Sequence, residues 1–124
     1  PGIPLAILYP DKQFTLLDSV GKKIRFLHEV VCQLGLSNVS LVNDRVENFR
    51  TDELFDTIMA RAVTVVGDLI GLSGHVLSSR GRFVLQKGVF PQAELAQVKR
   101  AYRVEQVVVP SLDGQRHVII IDGE

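Results

Sequence analysis

Tryptophan is absent from the 124 residues, cysteine and methionine occur once each, and 14 Lys and Arg are balanced by 14 Asp and Glu. Each shortage excludes something. The single cysteine, Cys32, forbids an intrachain disulfide and any cysteine-rich zinc site. No stretch approaches the ~18 uninterrupted apolar residues of a membrane span, and no charged-then-apolar leader opens the chain, so a cytoplasmic location is the expectation. Formal neutrality removes the simplest argument for a nucleic-acid partner, because such domains usually carry a basic excess. What is present is ordinary: 46% apolar and 23% charged residues with 10 glycines and 5 prolines. That composition suits one globular domain, or a piece of one, able to bury a core. The opening Pro1-Gly2-Ile3-Pro4 enters an apolar segment at once and reads as a start mid-fold.

Local patterning predicts an alternation of helices and short strands. Pro4–Tyr9 reads as a helix, since a first-turn proline sacrifices no helical hydrogen bond. Phe14–Leu17 is an apolar run of strand length closing on Asp18, and Ser19 is a candidate cap for a helix whose Ile24, Leu27, Val31 and Leu34 recur at helical spacing before Gly35. Asn38–Val42 and Phe55–Ala60 are further strands, the first followed by the polar loop Asn43-Asp44-Arg45 and the second leading into Arg61. A helix is expected over Val63–Leu77, weakened by Gly67, Gly71 and Gly74. Gly81 precedes a strand at Arg82–Gln86, and Pro91 opens a helix reaching about Arg100. Arg103–Val109 and His117–Ile121 are two β-rich runs whose link, with the turn signal Asp113-Gly114, is too short for a parallel crossover. The pattern is α/β: a doubly wound, mostly parallel sheet closed by an antiparallel hairpin.

Ligands of such sheets bind beyond the carboxyl ends of the strands, which directs attention to Asp18, to Asp44-Arg45-Val46-Glu47, to Arg61 and to Lys87-Gly88. An acid in the position of Asp18 can accept hydrogen bonds from both hydroxyls of a ribose; it can equally cap a helix or pair with Lys22. Arg45 and Arg61 are either ligand contacts or solvated side chains paired with Asp44, Glu47 or Asp56. Cys32, beside Val31 on its helix, reads as a small buried hydrophobe rather than a nucleophile. His28, His75 and His117 lack metal-ligand spacing, so no metal is assigned. A nucleophile elbow and a phosphate-binding glycine-rich loop are both missing from the sequence.

Six short motifs in order carry a resemblance. They are Pro1-Gly2-Ile3-Pro4-Leu5, Leu16-Leu17-Asp18-Ser19-Val20-Gly21-Lys22-Lys23 with Arg25-Phe26-Leu27, Arg45-Val46-Glu47, Arg61-Ala62, Lys87-Gly88, and Leu112-Asp113-Gly114-Gln115-Arg116-His117. On these the chain resembles, nearly end to end, the bacterial 16S rRNA guanine-N7 methyltransferase G family, also called glucose-inhibited division protein B. The resemblance implies a class I, Rossmann-like methyltransferase that uses S-adenosylmethionine, with a seven-stranded sheet whose last pair is antiparallel. It also implies that an upstream helical region, a first strand and a glycine-rich loop precede Pro1 in the whole protein. That strand would lie between Phe14–Leu17 and Phe55–Ala60, leaving these roughly 10 Å apart without it. Residues 1–124 would then be a fragment of the methyltransferase domain.

Carried over position by position, the resemblance places the cofactor at Val46, Glu47 and Arg61, with Asp18 as the ribose-binding acid. It assigns Lys22, Arg45 and Lys87 to RNA phosphate or substrate placement, with 16S ribosomal RNA or a small-subunit precursor as partner. No catalytic base is assigned, because guanine N7 already holds its lone pair in the ring plane. A nicotinamide-dependent oxidoreductase, which shares the acid after the strand, and a noncatalytic domain of the same fold are the competing readings. Local charge around Lys22, Lys23, Arg25, Arg45, Arg61 and Lys87 then outweighs the neutral total as a guide to an RNA partner.

Overall fold

The computed structural model describes residues 1–61 and 65–123, which form two compact units, Pro1–Arg50 and Thr51–Glu124. In the first, helix α1 (Gly2–Leu8) precedes strand β1 (Phe14–Asp18), helix α2 (Gly21–Leu34), strand β2 (Val39–Asn43) and a 3-10 turn at Val46–Asn48. β1 and β2 pair in parallel, from Phe14 opposite Val39 to Asp18 opposite Asn43. Helix α1 starts two residues earlier than the proline pattern suggests. A Cβ on Gly2 would run into the Leu16 side chain, so the absent side chain allows α1 to seat closely against β1. α2 ends as expected: Gly35 is left-handed at φ 63°, and the Gly35 and Leu36 N–H groups return to the Cys32 and Val31 carbonyls at 3.3 and 3.1 Å.

Two expectations fail in this unit. Ser19 does not cap α2; the residue before the helix is Val20, with no side-chain cap, and its N–H is taken by Asp18 Oδ1 at 2.8 Å. The longer-reaching acid captures that donor two residues on, as aspartates do in turns. Cys32 is exposed rather than buried, because α2 turns Ile24, Leu27 and Val31 inward and leaves the Cys32 face, with His28 Nε2 3.7 Å from Sγ, to solvent.

One buried side chain ties the first unit together. Asn38, 6% exposed, directs Nδ2 at the carbonyls of Ala6, Tyr9 and Lys12 at 3.1, 3.2 and 3.0 Å. Its own carbonyl accepts the Phe14 N–H at 2.8 Å. The end of α1, the following turn and the start of β1 are thus all fixed from one residue preceding β2.

The second unit contains β3 (Phe55–Arg61), α3 (Val66–Ser73), β4 (Leu77–Lys87), the single-turn helix α4 (Gln92–Leu95), β5 (Tyr102–Gln106) and β6 (His117–Asp122). The sheet order is β3-β4-β6-β5. β3 and β4 are parallel, whereas β6 runs antiparallel to both β4 and β5. Phe83, Ile119 and Ile121 are fully buried and Leu85 nearly so. They pack with Val66, Leu77 and Leu95, and with the half-buried Ile58, Ala60 and Val104. These strand residues share one face through the registers Ile58–Phe83–Ile121 and Ala60–Leu85–Ile119–Val104. Each fully buried large apolar side chain contributes about 1.5–3 kcal/mol.

The antiparallel hairpin is present, although its link is 107–116, longer than the sequence suggests. The helix expected over Val63–Leu77 is shorter: residues 62–64 lie outside the described residues, α3 ends at Ser73, and a 3-10 turn at Gly74–Val76 delivers the chain into β4. The helical spacing puts Val66, Leu69, Ile70, Ser73, Val76 and Leu77 on one apolar face; of these Val66, Ser73, Val76 and Leu77 are buried and Leu69 and Ile70 half-buried, but Leu77 is buried in a strand opposite Phe55. Gly81 lies inside β4 rather than before it. Five steps of β4, Leu77 to Arg82, face two steps of β3, Phe55 to Thr57. A Cβ on Gly81 would sit 2.5 Å from Leu77 Cδ1 and 3.0 Å from the Asp56 carbonyl, so this bulge requires glycine. The helix opened by Pro91 stops after one turn, where Gln97 and Val98 bond three residues back to Glu94 and Leu95.

Asn38→Ala removes the shared donor from three carbonyls and is expected to cost about 2–3 kcal/mol in urea unfolding. Asn38→Asp, which sets a carboxylate against those carbonyls, is expected to cost more at neutral pH than at pH 3.

Candidate functional site

In the first unit, Asp18 and Asn43 close the paired strands side by side. The Asp18 carbonyl accepts both Asn43 Nδ2 at 3.0 Å and the Asp44 N–H at 3.1 Å. With Oδ1 committed to Val20, the Asp18 side chain is held at the carboxyl edge. Lys22 and Phe26, one turn apart on α2, line with Asp18, Lys23 and Leu27 an open hollow of about 500 Å³. Phe26 is 65% exposed there, which makes the hollow apolar at its wall and charged at its rim.

The loop after β2 is fixed by its own charges. Asp44 Oδ1 accepts the Arg45 N–H at 2.8 Å, the Asn48 N–H returns to the Arg45 carbonyl at 3.0 Å, and Arg45 Nε donates to Glu47 Oε1 in a short ion pair. Arg50 Nη1 donates to the Glu47 and Phe49 carbonyls at 2.8 and 2.9 Å. The sequence offers no signal for that clamp, which depends on the loop curling through the 3-10 turn. The Arg45 guanidinium hydrogen bond holds the Glu47 carboxyl below its usual value, with the guanidinium charge adding to it. Arg45 is thus paired with Glu47 while its side chain stays largely exposed.

In the second unit, Arg61 ends β3 opposite Gln86 and is exposed. Lys87 follows Gln86 at the same edge and pairs with His117 across the β4–β6 ladder. Lys87 Nζ lies 3.2 Å from Glu94 Oε2, with side-chain exposures of 15% and 27%. The same carboxylate oxygen accepts the Val66 N–H at 3.4 Å, at the first turn of α3. His117, 7% exposed, directs Nδ1 to the Gly88 carbonyl at 2.7 Å; a carbonyl only accepts, so Nδ1 carries the proton. The Phe90 ring stands across His117 at 81° and 5.6 Å. The sequence does not single out Glu94, since an acid in a helix first turn is commonplace, and His117 is weighed there only as a metal ligand and as part of a motif.

The strand orders, parallel pairs and antiparallel β6 are those of a class I methyltransferase. The same fold occurs in an rRNA methylase from Streptococcus thermophilus, with a TM-score of 0.66 at 14% identity over 98% of this chain and 80% of that one. A family model described as rRNA small subunit methyltransferase G matches residues 1–119. The chain belongs to that family. Ribosomal RNA small subunit methyltransferase G of Idiomarina loihiensis is 43% identical over 98% of this chain and 60% of its own length; that of Legionella pneumophila is 44% identical over 99% and 59%. The chain therefore spans about three-fifths of these curated relatives. Family membership does not favour the nicotinamide-oxidoreductase reading.

Because Glu47 titrates below the ordinary carboxyl range, its pairing contributes above that range and is lost as pH falls through the lowered value. In an NMR pH titration Arg45→Gln is expected to move the Glu47 midpoint upward; an unmoved midpoint would show that the guanidinium is not the cause.

Proposed function

We propose that the whole protein transfers a methyl group from S-adenosylmethionine to N7 of a guanine in 16S ribosomal RNA. The family match along residues 1–119 carries this reading. Bound S-adenosylmethionine supplies a methyl group on a sulfonium, electrophilic without further activation. The N7 lone pair forms the new bond as the carbon–sulfur bond breaks, and no proton need leave first. The protein's task is accordingly to hold the reactants in line, an orientation effect that can supply several kcal/mol.

Within each unit the residues at the strand ends suit a nucleoside cofactor in their chemistry. Asp18 presents its carboxylate to ribose hydroxyls. Val46 and Glu47, half-buried on the 3-10 turn after β2, flank the adenosine. Arg61 contacts the cofactor from the end of β3. Lys22, exposed on the first turn of α2, engages RNA phosphate, and Arg45 and Lys87 place the substrate. Among the described residues no helix is long and apolar enough to cross a membrane, and the RNA substrate places the work in the cytoplasm.

In the full-length protein Arg61→Ala is expected to reduce methyl transfer to ribosomal RNA at least tenfold, read as radiolabelled methyl incorporated into 16S rRNA. Unchanged incorporation would remove Arg61 from the site. Lys22→Glu is expected to weaken RNA binding and flatten its salt dependence by about one unit of slope; an RNA affinity equal to wild type at low salt would refute the phosphate role.

A further inference from the structure

We propose that Glu94 is a positioning residue for guanine methylation, holding Lys87 at the carboxyl edge as a hydrogen-bond donor whose positive charge is largely offset. The inference rests on the methyltransferase reading above and deepens it by giving the substrate-facing cation a specific role. Three observations carry it. Lys87 is only 15% exposed and lies 3.2 Å from Glu94 Oε2, so it is poorly placed to act as an open phosphate-binding cation of the kind surface lysines provide. The same carboxylate oxygen accepts the Val66 N–H at 3.4 Å, which ties the end of β4 to the start of α3, the next described helix after β3. Finally, the next residue, Gly88, is pinned from β6 by the His117 Nδ1 hydrogen bond at 2.7 Å, so the Lys87 backbone is held from a second side.

The chemistry explains why a paired lysine suits this position better than a bare one. Guanine displays two acceptors on one edge, N7 and O6. When N7 donates its lone pair to the methyl carbon, the sulfur leaves as a neutral thioether and the positive charge passes to the purine ring. An ammonium can orient the base through O6, but an uncompensated one would repel the charge growing beside it. A carboxylate within salt-bridge distance keeps the donor and removes most of that repulsion. Lys87 and Glu94 form such a pair.

The test uses full-length protein and 16S rRNA from a strain lacking it, both naked and assembled into small subunits. Glu94→Gln retains an oxygen for the Val66 N–H and deletes the charge. It is expected to lower kcat roughly tenfold, the size of one charge-assisted hydrogen bond. In the absence of cofactor, RNA binding at low salt should tighten and its salt dependence steepen, because the Glu94 charge no longer offsets that of Lys87. A double variant, Lys87→Gln with Glu94→Gln, should restore wild-type RNA affinity and salt slope while kcat stays low. Unchanged kcat in Glu94→Gln, or kcat and RNA affinity falling together with the melting temperature, would overturn the proposal, as would wild-type kcat in the double variant. A wild-type protein that methylates neither RNA form would instead bring down the functional reading, and this inference with it.

Discussion

The architecture of the second unit depends on where β6 runs. By entering antiparallel between β4 and β5, it supplies Ile119 and Ile121 to the buried face and joins two strands that otherwise share no ladder. Its register also sets the chemistry of the edge. With Lys87 and Gln106 both opposite His117, the imidazole falls beside the Gly88 carbonyl and holds the start of the segment leading to α4. Glu94 can reach both Lys87 and the start of α3 because that segment is held. A slip of one residue would turn the Ile119 and Ile121 side chains to the opposite face and would remove His117 from Gly88.

In the first unit the equivalent role falls to a polar group. Asn38 is buried, and three carbonyls converge on its amide. A hydrophobic residue there would leave the Ala6 carbonyl, the buried one of the three contacts, without its donor, which is why a polar side chain is the stabilising choice at this junction. The Asp18 turn that follows β1 works by the same economy: one carboxylate oxygen organises the entry to α2.

Much of this was legible in the residues because short apolar runs bounded by turn chemistry have few alternatives. Phe14–Leu17, Phe55–Ala60 and the final β-rich runs are strands within a residue or a few, and the Gly35 stop is where the pattern puts it. The failures share a cause. Val76 and Leu77 continue the apolar spacing of α3, and only the distant Phe55 partner determines that Leu77 belongs to a strand. Gly81 looks like punctuation until the bulge it permits is seen against Asp56. For the site, the edge positions Asp18, Arg45, Glu47, Arg61 and Lys87 could be picked from strand ends, whereas partners such as Glu94 for Lys87 or Arg50 for the Glu47 carbonyl arise from folding across loops. Spacing along the chain carries no record of them.

The position of β6 has a further consequence for how the protein is made. A ribosome releases β3, α3, β4, α4 and β5 before β6, yet β5 has no ladder partner among the described residues until β6 arrives. The Phe83 and Leu85 side chains, emerging earlier, must wait with one flank of their strand open. The β4 edge therefore waits for β6 for at least the time needed to synthesise the 88–122 segment, on the order of a few seconds. Slow translation through that stretch prolongs the interval in which such an edge can pair with the wrong strand.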